Sequence, residues 1–570
     1  MAYGYTTKRE RKNTLIRALK DLRIPYEAQA REVADNLLPY RLRVNLSDQN
    51  RGDRRNSTIY DSTATLAVST LEAGFTAGMT SPAKRWLRWS TKDPELYEYP
   101  SAREWLDFGT STMLSILGES NFYSSIPTFW GDMAGFATSA MSLEERVSPL
   151  IHTRTFPFGS YWIAQDGDSN VNVFYREFKM TVRQLYETFG EKAQFSQEVK
   201  NLVDRSMWEE WIEVGHLIEP NMEYEEGMGF SPKGKPFSSC WFEVGSSSST
   251  GTSGYAAKVE KEDIYLREGG FDSFPMMVGR WKNVEGDVWG IDCPAMTALG
   301  DIKSLQIGSK RSWQAIEKMV NPHMVGPVEL QGQDHGFIPG EITWLDERDG
   351  MKGLRPIYEI NPRIQELEGK LAEGRERIWD AFHTPLFRTL ALLDERDRTA
   401  LEIEERKQEG RTELLPRIEE ASRNLTKYLG RLFQIIIKRE MMPPAPPELQ
   451  GQDVEFQYLG VLAQAQKAVD VQPIERFAAS IASMAAVDPS VADKFDTDNA
   501  ADVLGDALGI PSKILRGDEE VAVIRENRAK QRQQEMALNV VKEGSVAAKN
   551  LASAKTDQRS ALTDLMGAAG

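Results

Sequence analysis

Between Thr399 and Leu449 the apolar positions Leu414, Ile418, Ala421, Leu425, Tyr428, Leu432 and Ile435 recur in steps of three and four, behind a charged helical run. That spacing lays one stripe along a single helix face, and the segment outruns the ~8–20 residues of an ordinary globular helix. Pro416 lies inside it. Proline removes a backbone donor and crowds the carbonyl four residues back, so a kink or break is expected near Thr412 to Leu415. The helix should stop at Met441-Met442-Pro443-Pro444.

A second stripe, Ile364, Leu367, Leu371, Gly374, Ile378 and Phe382, is narrow and flanked by Arg363, Glu366, Lys370, Glu373, Arg375, Glu376 and Arg377. So thin a seam predicts packing against neighbouring helices more than burial in one core. Asp301 to Val320 also reads as a helix, with Leu299, Ile302, Trp313, Ile316 and Val320 on one stripe that Gln306 and Ser309 interrupt. Between these two helices, Pro327 to Ile360 alternates Ile338, Ile342 and Trp344 among glycines and prolines, which predicts a small β-unit.

Nearer the N-terminus, helical faces start at Thr14 and at Tyr26, separated by Pro25, and a third runs from Ser57 to Thr80 lined with Ala64, Ala67, Ala73, Gly74, Ala77 and Gly78. Ser101 with Glu104 has capping-box spacing ahead of Trp105 and Phe108. From Val147 to about Trp289, alternation and turn residues predict short strands, with the tract Ser246 to Gly254 as a loop. Tyr458 to Met484 and Ala501 to Leu515 read as short helices, and a polar helix begins at Glu519. The remainder to Gly570 has too little apolar surface to offset its ordering entropy and is expected to be mobile unless a partner orders it. The fold class is therefore α+β, predominantly helical.

At 570 residues and 64.3 kDa the chain can bury several cores, and ~100–200 residues per domain gives three to five structural regions. Its formal charge of −16 has the wrong sign for gripping DNA, whose duplex carries one charge per ~1.7 Å of axis. An acidic wall with scattered cations does suit a surface along which DNA slides; plain solubility explains the charge equally well. No apolar run approaches the ~20 residues of a membrane span and no signal peptide follows the basic N-terminus, which predicts a soluble protein made in a cytoplasm.

Chemistry is sparse. Cys240 and Cys293 are too few and too far apart for a zinc site or a disulfide framework, and His152, His216, His323, His335 and His383 lack ligand spacing. Gly229 to Lys235 has Walker-type glycine spacing and a lysine, but Pro236 stands where a magnesium-binding hydroxyl belongs and Pro232 removes a nest donor. It reads as a turn. Asp166 and Asp168, in DGDSN between two strands, have hairpin-turn chemistry. No cofactor, metal or catalytic residue is expected.

Four segments in order resemble the portal, or head-to-tail connector, proteins of short-tailed bacteriophages (podoviruses). They are Asp61-Ser62-Thr63-Ala64 with Ser81-Pro82-Ala83-Lys84-Arg85-Trp86; Asn121-Phe122-Tyr123 through Phe136-Ala137-Thr138-Ser139-Ala140; Val171 with Arg176-Glu177-Phe178, Met180-Thr181 and Gln184-Leu185; and Thr399-Ala400, Glu402-Ile403, Arg406 and Glu409 ahead of the long helix and its MPPAPPEL end. Ala137 and Ser139 depart slightly from the family's G-T-A pattern.

The resemblance implies a ring subunit with wing, stem, clip and crown regions. On that pattern residues 1–290 form the wing, 291–320 a first stem helix, 321–360 the clip, 361–383 a second stem helix, 384–398 a tunnel loop, 399–448 a long kinked wing helix, 449–535 the crown and 536–570 a mobile tail. It implies a twelve-subunit ring in the virion, at the vertex between head and tail, assembled in the host cytoplasm with major capsid and scaffolding proteins. Double-stranded DNA would pass through it, and terminase and then tail adaptor proteins would dock on it, with no membrane involved. Arg388, Arg396 and Arg398, with Leu390, would face DNA in the tunnel loop; Glu341, Trp344 and Arg348 would present the clip to terminase or adaptor. Leu386, Phe387, Leu390, Leu392 and Leu393 are too apolar for an idle loop, and the alternative is that they pack as a further core helix. Two other functions stay open: an enzyme acting on nucleotide or nucleic acid, resting on the Gly229 to Lys235 loop, or a scaffold or adaptor ring without DNA passage.

Overall fold

The structure is a computed structural model. It describes residues 8–44, 52, 54–93, 96, 99–191, 193–229, 231–244, 265–320, 324–325, 355–356, 364–391, 400–460, 477–485, 491, 494–497, 499–500 and 518–552. The chain divides into two compact units: Met1–Ser90, Asp107–Pro444 and Glu455–Val469 form the first, and Thr91–Leu106, Ala445–Val454 and Asp470–Gly570 the second.

The first unit is built on two antiparallel sheets. Strands β2 (Thr138–Glu145), β3 (Ile151–Phe156) and β9 (Met276–Arg280) form a three-stranded sheet in the order β3-β2-β9. Strands β4 (Tyr161–Gln165), β5 (Val171–Thr181), β6 (Trp211–Pro220), β7 (Phe237–Glu243) and β8 (Arg267–Phe271) form a five-stranded meander in sequence order. The strand region thus begins at Thr138, earlier than Val147, which is 91% exposed in a connection. DGDSN closes the β4–β5 hairpin: Asp166 Oδ1 accepts from the Asp168 and Asn170 amides at 3.0 and 2.8 Å.

Helix α1 (Lys8–Asn36) lies on one face of the meander, where Ile16 and Leu19 join Trp162, Tyr175, Leu217 and Phe242 in a core cluster. Buried Arg23 fastens it by donating to the Gly159 and Tyr161 carbonyls at 2.6 and 2.8 Å. The expected division at Pro25 does not occur. Pro25 and Asp21, whose carbonyl would have accepted the missing N–H, are on the exposed face, where water satisfies the oxygen. The M-T-x-x-Q-L motif has a local cause: Thr181 ends β5 and caps α5 (Val182–Phe189) in a capping box with Gln184. A further helix, α6 (Gln197–Asp204), completes the cluster of Val182, Leu185, Phe195 and Val199.

The rest of the described part of the first unit is mostly helical, with two short strand pairs. Helix α2 (Thr63–Met79) starts later than Ser57; Asp61, just before its N-cap Ser62, braces the first turn, its Oδ1 accepting from Thr63 N at 2.9 Å and Thr63 Oγ1 at 2.5 Å. Helix α4 (Phe122–Phe136) packs on α2 and on the three-stranded sheet. Between them, α3 (Pro100–Glu119) begins at Pro100, so Ser101 lies inside the first turn and not at the cap. Strands β1 (Leu87–Thr91) and β12 (Val454–Tyr458) pair with each other, which makes Tyr458 a strand end and not a helix start.

Short α7 (Pro294–Thr297) leads into α8 (Leu299–Val320), followed by α9 (Ile364–Ala381), α10 (Thr384–Ala391) and α11 (Ala400–Lys438). The stripe read along α11 is buried at every position from Leu414 to Ile435. The helix is unbroken at Pro416, whose ring is exposed while Leu414 and Ile418 on either side are buried and pin the path. Buried Arg431 ties α11 to the sheet, donating to the Leu143 and Ser273 carbonyls at 3.1 and 2.9 Å.

In the second unit, Lys92 pairs with Asp453 at 3.3 Å and Phe477 contacts Phe495 at 6.0 Å between centroids. Its last helix runs Asp518–Ala552, well past the 536 boundary expected for a mobile tail. Alanine, glutamine, glutamate, lysine and arginine have high intrinsic helix propensity, and Glu526 pairs with Lys530 at 2.7 Å one turn on. Among the described residues no helix is long and apolar enough to cross a membrane.

Candidate functional site

Helices α8 and α9 pack against each other, and β10 (Met324–Val325) after α8 pairs antiparallel with β11 (Arg355–Pro356) before α9. The chain therefore leaves and returns through one paired gate. Close helix approach is set at Gly308, where a Cβ would lie 2.7 Å from Leu371 Cδ2.

The stripe read from sequence on α8 is buried only along its N-terminal half, and there largely through its polar interruptions. Ile302, Leu305, Gln306, Ser309 and Ser312 are buried, whereas Trp313 is 69% and Val320 81% exposed. Gln306 explains why the N-terminal half is buried. Its Oε1 accepts from the Tyr60 and Asp61 amides at 2.6 and 2.9 Å, and its Nε2 donates to the Asp61 carbonyl at 2.8 Å. Asp61 in turn receives Arg375 Nε and Nη2 of α9 on Oδ2, at 3.0 and 2.8 Å. Burial pushes the Asp61 carboxyl up, but the bonds from Thr63 and Arg375 outweigh it and leave its pKa below the ordinary value. One aspartate thus braces the start of α2 and anchors α8 and α9. The sequence signal for this node is the pair of polar residues interrupting an apolar stripe at buried spacing.

At the end of α9 the chain turns at His383, φ +51°, directly into α10. Residues 384–391 are therefore helix and not loop. Leu386 and Phe387 are buried, and Phe387 lies on α2, 5.7 Å from the Phe75 ring centroid. Arg388 points the other way. It is exposed, with its guanidinium 4.9 Å from the centroid of the Trp379 ring, so an aromatic platform holds its position. Leu390 lies within α10. Arg396, Arg398, Leu392, Leu393, Glu341, Trp344, Arg348, His323, His335 and the Ser246 to Gly254 tract lie outside the described residues.

The other candidate chemistry resolves into structure. Pro232–Gly234 is a 3-10 turn and Lys235 pairs with Asp272 at 2.5 Å. His216 is buried, stacked on Trp241 at 3.7 Å, with Nε2 3.0 Å from Ser239 Oγ. Cys240 and Cys293 are free and buried. Among the described residues no group of three or more His, Cys, Asp or Glu is placed to hold a metal.

The family model for bacteriophage head to tail connecting protein matches residues 9–515. The chain is 34% identical over 565 residues to the portal protein of Salmonella phage epsilon15, covering 99% of each. It is also 34% identical over 559 residues to the probable portal protein of Bordetella phage BPP-1, covering 98% of each.

Proposed function

The chain belongs to the bacteriophage head-to-tail connecting protein family, and from that premise we propose that it assembles as a ring at the capsid vertex, through which the genome is packaged and later ejected. Its role is structural, joining head to tail. In this reading ATP hydrolysis belongs to a separate terminase. The ring has twelve subunits, forms in the host cytoplasm with capsid and scaffolding proteins, and is carried in the virion.

The structural observation that supports this reading is the excursion between α8 and α9, closed by β10 and β11. We assign α8 and α9 as stem helices and 321–360 as the clip that docks terminase and then tail adaptor through Glu341, Trp344 and Arg348. The wing is 1–290 with the long helix of 399–448, the crown is 449–535 and the tail is 536–570. The exposed face of α8 carrying Trp313 and Val320, with Ile316 half-buried beside them, supports a neighbour in the assembly. Images of the purified particle should show a hollow ring; a monomer by light scattering under assembly conditions overturns the proposal.

DNA contact is assigned to Arg388, Arg396 and Arg398, with Leu390 beside them, at the end of α10 and in the segment that follows. Each is a transient phosphate contact repeated around the ring, so binding should be weak and salt-sensitive. Each neutralised phosphate contributes about −0.9 to the slope of log affinity against log salt. Replacing the three arginines with alanine should flatten that slope by about 0.9 for every phosphate that is no longer neutralised, while rings still form. An unchanged slope removes these residues from the channel wall.

A further inference from the structure

Two arginines of the first unit face a cavity of about 550 Å³ between the three-stranded and five-stranded sheets. Strand alternation explains their placement. On β5, Tyr175 and Glu177 point toward α1, where Glu177 pairs with Lys20 at 2.5 Å, so Arg176 points to the opposite face. Arg176 is 5% exposed and carries no hydrogen bond or ion pair among the described residues; its Nε is fully buried and unpartnered. Three rings surround it, Phe178, Phe156 and Trp241, with centroids 4.4, 5.0 and 5.2 Å from the guanidinium carbon. Arg154, on β3, lines the same cavity and likewise has no hydrogen bond or ion pair among the described residues, while its side chain reaches solvent.

The walls repeat the pattern. Ser142 Oγ and His216 Nδ1 are buried polar atoms of the cavity lining with no hydrogen-bond partner among the described residues. Burial, then the charge of Arg154, lowers the Arg176 pKa to about 9. Burial, then Arg176 and Arg154, keep His216 neutral. Glu144, the nearest acid to act on Arg176, pairs instead with Arg146 at the exposed rim, at 3.4 Å. Cation–π contacts offset only part of the desolvation of a guanidinium. Two like charges, a donor-acceptor hydroxyl and an imidazole therefore converge on a space whose own carboxylates, Glu144 and Glu145, are paired with Arg146 and Arg439 and not with either arginine. Its volume falls within the ~300–1,000 Å³ of small-ligand pockets.

We propose that this cavity binds a compact oxyanion, a phosphate or carboxylate group, held by Arg176 from within and Arg154 from the mouth, with Ser142 and His216 completing its hydrogen bonds. Neither arginine is among the residues assigned to DNA contact or to the clip.

The test is thermal unfolding of the full chain against inorganic phosphate, and separately acetate, at ionic strength held constant with sodium chloride. Wild type should show a saturable rise in midpoint. Arg154→Ala, at an exposed position, should weaken the apparent affinity about tenfold, as removing one charge-assisted hydrogen bond does. In anion-free buffer the same substitution should leave the midpoint unchanged or raise it, because it removes a like charge facing Arg176. Arg423→Ala, outside the cavity, should keep the wild-type response. A response to phosphate alone assigns a phosphate group, and a response to acetate alone a carboxylate. No saturable response to either, an equal response in Arg154→Ala, or a drop in midpoint on Arg154→Ala without added anion overturns the proposal; the last would mean that a carboxylate of the chain already fills the space.

Discussion

Phe387→Ala is expected to be among the most damaging single substitutions in the first unit, lowering stability by about 3–5 kcal/mol, the range for deleting a buried aromatic side chain. The ring is 3% exposed and sits where α2 has no side chain: a Cβ on Gly74 would lie 2.1 Å from Phe387 Cδ1. Gly74→Ala should therefore destabilise by overpacking, about 1–3 kcal/mol. In a double-mutant cycle the two losses should not add, because Phe387→Ala empties the space the new methyl needs. Arg388→Ala, one residue on, should change stability by less than about 1 kcal/mol, the scale of an exposed cation–π contact. Denaturant midpoints of the four variants decide the matter. Additive losses would break the assignment of Phe387 to the Gly74 gap. A further consequence is that deleting Leu386 to Leu393 cannot test DNA contact, since it removes core residues together with Arg388.

The contrast between α8 and α11 shows what the chain makes legible. On α11 a run of Leu, Ile and Tyr at steps of three and four meets a sheet, and burial follows the stripe residue by residue. On α8 the same reading finds the face but not its burial: Ile302, Gln306 and Ser309 are buried, while Trp313 and Val320 further along that face are exposed. Periodicity reports that a stripe exists, but not whether the chain itself or another copy covers it, and here the internal face is held by Gln306 bonding to Tyr60 and Asp61, about 245 positions away in sequence. Pro25 and Pro416 read as breaks because a proline's local cost is visible in sequence, while the exposure that makes it tolerable is not. The D-x-T and M-T-x-x-Q-L segments carry a family likeness in sequence. Their physical content, an aspartate bracing the first turn of α2 that also takes Arg375 and a capping box on α5, needs the packing of distant elements for the first and only local geometry for the second. Arg176 stands in the Arg176-Glu177-Phe178 segment of the family likeness, but neither it nor Arg154 signals a buried cation in sequence, since single arginines on alternating strands look like surface residues.

The second large effect is a dependence on pH built into the contact of α2 with α4. Asp132 of α4 is fully buried, and Arg41, which follows α1, lies 3.3 Å from its Oδ1. The same guanidinium lies 2.6 Å from Glu72 Oε1 of α2, an ion contact outside hydrogen-bond geometry. One cation thus serves two carboxylates. Burial pushes Asp132 up, Arg41 opposes it and Glu72 adds to it, with the result that its pKa rises to about 7. Glu72 is raised as well, by burial against the pull of Arg41. Tyr161, buried nearby and itself shifted up by burial and by Asp132, stays neutral. An acid whose folded pKa exceeds its unfolded value, near 3.9, favours folding in its protonated form. Its stabilising contribution is therefore full below about pH 4 and is lost as pH rises toward 7. The expected loss from Asp132 is on the order of 4 kcal/mol across that window, at about 1.4 kcal/mol per pKa unit. Asp132→Asn keeps the shape and stays neutral, so it should match wild type near pH 4, exceed it by that amount at pH 8 and flatten the intervening slope. Arg41→Met should do the opposite, leaving buried Asp132 and half-buried Glu72 without their cation and steepening the loss above neutral pH. Midpoints measured from pH 4 to pH 8 on the three proteins read the effect directly, and parallel curves for wild type and Asp132→Asn would show that Asp132 is ionised throughout the folded state.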